Sequence, residues 1–149
     1  MADSLDAQAA AFAQLLKLSR GDPDVAFRSA VALAGGLFPH QIEGVAFLLG
    51  RRRAILADDM GLGKTRQAIV SLRHLTPGRV RLVVCPASVK RSWAREIAVV
   101  APDASTLVID GTSPVSLSAE WVIINYDILG RHIDDLLKVP WGALIFDEA

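Results

Sequence analysis

Residues 53–65 read RAILADDMGLGKT, and the fold turns on them. The short apolar run RAILA leads into a turn with glycines at 61 and 63. Gly-Lys-Thr then opens a helical segment, 64–76, which Pro77 and Gly78 end. A loop that grips phosphate needs this order of strand, turn and helix. Gly61 and Gly63 let the backbone bend and come close, so that successive N–H groups point at phosphate oxygens. The helix that follows adds the positive end of its dipole. In such a loop Lys64 lies on the terminal phosphates and the Thr65 hydroxyl on Mg²⁺, while Asp58, Asp59, Met60 and Leu62 belong with them to the cofactor-binding loop. The strict pattern has glycine where Asp58 stands. A purely structural turn accounts for two glycines, but not for Gly-Lys-Thr opening a helix after an apolar strand.

Working outward, VRLVVC (80–85), TLVID (106–110), WVIIN (121–125) and ALIFD (143–147) read as further strands. Between them, 88–100 places Val89, Trp93, Ile97 and Val100 on one helical face, and 126–138 reads as another helix. Apolar strands alternating with helices predict an α/β fold, a mostly parallel sheet with helices on both faces. Upstream the pattern is helical. Phe12, Leu15 and Leu16 lie on one face of 3–19; a second helix, 24–34, stops at Gly35 and Gly36; a third spans 39–50 with Pro39 in its first turn. The expected organisation is an N-terminal helical extension, 1–36, followed by the α/β domain, 37–149.

The last strand closes on IFDEA, Ile145 to Ala149. Paired with a phosphate loop in this order, Asp147 reads as a second Mg²⁺ ligand and Glu148 as the general base for an attacking water. Charge is unevenly placed. Residues 51–100 carry eleven lysines and arginines against three acids, a net of +8, in a chain whose total is zero. Such an asymmetry predicts an anionic partner, nucleotide or nucleic acid. The 149 residues, 52% of them hydrophobic, suffice for a globular core. The apolar runs are too short to span a bilayer, and the acidic start MADSLDAQ lacks the order of a signal peptide. A lone cysteine, Cys85, fits a buried strand thiol in a reducing compartment. His40, His74 and His132 have no zinc-ligand spacing with it.

Taken together, five stretches resemble the Swi/Snf-type ATP-dependent DNA translocases of helicase superfamily two: LFPHQIEGVAFLL, LADDMGLGKTRQAI, LVVCPASVKRSWAREI, WVIINYDIL and LIFDEA. The resemblance runs from about Leu37 to Ala149. It implies a P-loop NTPase fold, the N-terminal part of a first RecA-like lobe ending after the Walker B strand. Little ATP turnover is then expected from these residues alone. It implies ATP and Mg²⁺ as cofactors, an adenine contact from Gln41, and duplex DNA as partner, touched at the backbone by Ser88, Lys90 and Arg91. The expected setting is cytoplasmic, on the nucleoid of a bacterium or in a eukaryotic nucleus. It further implies that the terminal strand pairs with VRLVVC and not with RAILA. Two other readings remain open on the residues alone: a non-enzymatic nucleotide- or DNA-binding module, and an unrelated P-loop kinase, which lacks support from the CPASVK loop.

Overall fold

The computed structural model describes residues 21–57, 61–111 and 117–148. The expected helix at 3–19 and the loop residues Asp58, Asp59 and Met60 lie outside them. The chain divides into two compact units, residues 1–71 and 72–149.

In the first unit, helix α1 spans Pro23–Ala32 and α2 spans Pro39–Leu49. Asp22 caps α1 by accepting the Asp24 N–H, with proline in the first turn. Ala26 and Ala30 form its buried stripe. Gly50 follows α2, and its carbonyl accepts the Gly21 N–H at 2.8 Å. Helix α3, Lys64–Leu75, begins in this unit.

The second unit holds a four-stranded sheet: β1 Arg81–Cys85, β2 Thr106–Val108, β3 Trp121–Asn125 and β4 Ala143–Phe146. The strand order is β2-β3-β1-β4 and every pair is parallel. β1 and β3 are buried along their whole length, as a near-continuous apolar run requires of a central parallel strand. A 3₁₀ turn, Ala87–Val89, leads into α4, Lys90–Val100, and α5 spans Tyr126–Leu136. Leu82, Val84, Val122 and Ile124 share one sheet face with Leu136 and Ile128 of α5. The alternate residues face the other way, where Val108 lines a cleft together with Ser92 and Arg95 of α4. Helices therefore cover both faces.

Two expectations change. Residues 53–57 form no strand; only an isolated bridge at Arg51 precedes them, and Ile55 is 86% exposed. A strand exists only through ladder bonds to a neighbour, and no described strand offers RAILA one. The segment 106–110 is a strand only to Val108, because Asp110 turns to Lys90 and Gly111 takes φ +81°. The terminal strand does pair with VRLVVC, in the register Leu82 to Leu144 and Val84 to Phe146.

Arg81 is an unusual resident of a buried strand, at 2% exposure. Its guanidinium donates to the Thr76 hydroxyl at 2.9 Å and to the Thr76 carbonyl, and lies 5.0 Å from the Trp121 ring. It satisfies acceptors left open where α3 ends. Burial pushes its pKa below the usual guanidinium value, and Glu120 works against that shift.

Candidate nucleotide and metal site

The turn before α3 is shaped by a single carbonyl. Leu62 O accepts from Gln67 Nε2 at 3.2 Å and from Gln41 Nε2 at 3.3 Å, and the His40 ring nitrogen Nε2 lies 3.3 Å away. Gln41 is buried, and its Oε1 accepts the Phe38 N–H at 3.0 Å, so it also caps the start of α2. Gln67 reaches the turn because Gly44 has no side chain: a Cβ there would stand 1.9 Å from Gln67 Oε1. Gly61 and Gly63 take φ +85° and +74°, and a Cβ on Gly63 would meet Gln41 Nε2 at 2.2 Å. Only glycine satisfies both demands at 63.

The consequence follows from peptide planarity. In a trans peptide the C=O of one residue and the N–H of the next point in opposite directions. Drawing the Leu62 carbonyl toward three side chains therefore turns the Gly63 N–H away from them. Lys64 and Thr65 begin the helix directly after it, half-buried, with the Gln67 N–H returning to the Gly63 carbonyl at 3.1 Å. Donors that point outward ahead of a helix N-terminus suit a phosphate.

In the second unit, Asp147 follows β4 and is held at three points. Its N–H donates to the Val84 carbonyl at 2.9 Å, and its carbonyl accepts the Tyr126 hydroxyl at 2.9 Å. Its Oδ2 accepts the Trp93 indole N–H at 2.8 Å. Burial raises the Tyr126 pKa, and the Asp147 charge adds to the shift. Cys85 is fully buried, and its thiol is pushed up to about 11, first by burial and then by Asp147. Glu148 is exposed and takes φ +52°, a left-handed backbone that glutamate adopts at some cost. Among the described residues no group of three His, Cys, Asp or Glu is placed to hold a metal. Carboxylate and hydroxyl oxygens are nonetheless the hard donors that Mg²⁺ takes, and it binds through one or two protein oxygens together with phosphate.

The predicted backbone-contact residues separate. Ser88 and Arg91 are exposed and line a cleft of about 590 Å³ with Ser92, Arg95 and Asp110. Lys90 is buried, and its ammonium donates to the Ile109 carbonyl at 2.9 Å and to Asp110. That bond holds the Asp110 carboxyl below its usual range. The indole contact to Asp147 and the role of Gln67 were not visible beforehand. The available signal was that a buried Trp needs an acceptor.

The SNF2-related domain family matches residues 40–149. The chain belongs to this family. It is 38% identical over 119 residues to a Caenorhabditis elegans homologue of the SWI/SNF-related matrix-associated actin-dependent regulator of chromatin subfamily A-like protein 1, covering 76% of this chain and 17% of that protein. It is 35% identical over 143 residues to the ISWI chromatin-remodeling complex ATPase ISW1 of Saccharomyces cerevisiae, covering 83% and 13%. Among solved structures it resembles the Sulfolobus solfataricus SWI2/SNF2 ATPase core in complex with dsDNA, with a TM-score of 0.65, 32% identity, and 75% and 26% coverage. The chain thus spans between an eighth and a fifth of the length of these two curated relatives. The fold is that of the RecA-like lobe of SNF2 ATPases, with helices preceding it. No described helix is long and apolar enough to cross a membrane.

Proposed function

We propose that this SNF2-related chain carries the nucleotide-binding part of an ATP-dependent motor that moves on duplex DNA. The observation that carries the reading is the Leu62 carbonyl, held inward by Gln41 and Gln67 so that the Gly63 N–H faces out before Lys64. Lys64 then neutralises the terminal phosphates, and backbone N–H groups of residues 61–65 cradle the others. Gln41 has one N–H and one lone pair left after its two described bonds, enough to read an adenine edge. Thr65 and Asp147 would each offer an oxygen donor to Mg²⁺, which would supply charge neutralisation at the phosphates when bound. Glu148 orients and deprotonates water.

The DNA partner rests on Ser88 and Arg91, which face solvent beside Arg95, while Lys90 braces the Asp110 turn beneath them. Residues 37–149 form the motor segment and 1–36 an extension ahead of it, working on the nucleoid or in a nucleus. Family membership removes support from the kinase reading.

Titrating labelled ATP against the wild-type chain and Lys64→Ala tests the proposal. A charge-assisted bond of about 1.5–3 kcal/mol predicts roughly a 10- to 100-fold loss of affinity. Equal affinities overturn it.

A further inference from the structure

Trp93 sits on α4, 54 positions before Asp147, and is 4% exposed. Its ring packs as the helical pattern requires, but a buried indole N–H also needs an acceptor. A backbone carbonyl would serve, as the Leu136 carbonyl does for Trp141 at 2.7 Å. Trp93 instead donates to Oδ2 of the one carboxylate assigned to Mg²⁺, at 2.8 Å. The Asp147 backbone is pinned at the same time, its N–H by Val84 and its carbonyl by Tyr126.

An aspartate side chain has two torsions. With the backbone fixed and one oxygen held, the direction of the other oxygen, Oδ1, is set. We propose that Trp93 is a positioning residue for Asp147: its indole N–H fixes the carboxylate in the orientation that presents Oδ1 to the cation of a bound nucleotide. The proposal rests on the reading of Asp147 as a Mg²⁺ ligand. Partners that orient a metal ligand typically contribute about 10- to 100-fold to metal affinity. Without the N–H the carboxylate turns freely and the cation is held less tightly, while the phosphate loop is untouched.

The test is the Mg²⁺ dependence of binding of a fluorescent, non-hydrolysable ATP analogue to the full chain. It compares wild type, Trp93→Phe and Asp147→Asn, each titrated with Mg²⁺ and also measured in EDTA. Trp93→Phe is expected to raise the Mg²⁺ concentration for half-saturation roughly tenfold, with the affinity in EDTA unchanged. Asp147→Asn should weaken the Mg²⁺ response at least as much. If Asp147→Asn does so and Trp93→Phe does not, the positioning role is wrong and the metal assignment stands. If Asp147→Asn has no effect, the metal assignment fails and the inference with it. Should Trp93→Phe fail to fold by circular dichroism, benzothienylalanine at position 93 keeps the bicyclic ring and removes only the N–H. The same tenfold shift is expected of it, and its absence is equally decisive.

Discussion

Replacing Arg81 with methionine removes a charged group from the centre of a sheet, and the sign of the result is not obvious. The guanidinium is 2% exposed and has been stripped of water, which opposes folding. Against this stand two well-formed charge-assisted bonds, to the Thr76 hydroxyl and the Thr76 carbonyl, each worth about 1.5–3 kcal/mol. The third, to the Leu72 carbonyl at 3.4 Å, is too long to count for much. The ring contact with Trp121 adds about 0.5–1 kcal/mol. Methionine recovers some packing, and the Thr76 carbonyl keeps the Arg79 N–H, so the acceptors are not wholly abandoned. The net expectation is a loss of about 2–4 kcal/mol, or a melting temperature lower by about 5–15 °C in a chain of this size. Urea unfolding followed by Trp fluorescence and far-ultraviolet dichroism measures it. Arg81→Lys should fall between the two, since an ammonium lacks the fork that reaches both Thr76 oxygens. A stability for Arg81→Met within about 0.5 kcal/mol of wild type would refute the helix-end role.

Two further outcomes follow from the buried lysine and the cleft beside it. Lys90 lowers the Asp110 pKa by its hydrogen bond and its charge, so this pair stabilises the fold fully above the ordinary carboxylate value of about 3.9 and loses that contribution as pH falls through the depressed value. The stability gap between wild type and Asp110→Asn, about 1 kcal/mol or less at neutral pH because Asp110 is exposed, should close on acidification below that range; a gap that widens there contradicts the pairing. For DNA, an Arg91→Ala, Arg95→Ala double variant should reduce the slope of log affinity against log salt by about 0.9 for each phosphate that is no longer neutralised. An unchanged slope in fluorescence anisotropy places the phosphate-binding cations elsewhere.

The strands of the second unit were legible because VRLVVC, WVIIN and ALIF are runs that a parallel sheet buries. Of their order, only the pairing of the terminal strand with VRLVVC followed from the family resemblance. RAILA looked the same in composition and forms no strand. A short apolar run carries no information about whether a neighbour exists to complete its ladder. The net charge of 51–100 overstated the anion-binding surface for a similar reason. Arg73 pairs with Asp103 at 2.7 Å, Arg81 is buried against Thr76, and Lys90 is tied to Asp110, so these three of the eleven positive charges are engaged within the chain. Gly61, Gly63 and Lys64 stood out in the sequence because the motif is local, and both glycines take positive φ. The inward carbonyl of Leu62 depends on Gln41 and Gln67, which lie on two helices 26 positions apart. The Trp93 donor likewise meets an acceptor that only the tertiary fold brings near. Pattern reading finds the residues of a motif more readily than the groups that hold them.

The central claim is that the turn from Gly61 to Thr65 grips the phosphates of a nucleotide. A ¹H–¹⁵N correlation spectrum of the full chain, recorded while ATP and Mg²⁺ are added, tests this most directly. The account predicts that the amides of Gly61, Leu62, Gly63, Lys64 and Thr65 shift most, with the Gly63 N–H among the largest because its proton faces the ligand. Those amides standing still while others move, or no movement anywhere at saturating nucleotide, would contradict it.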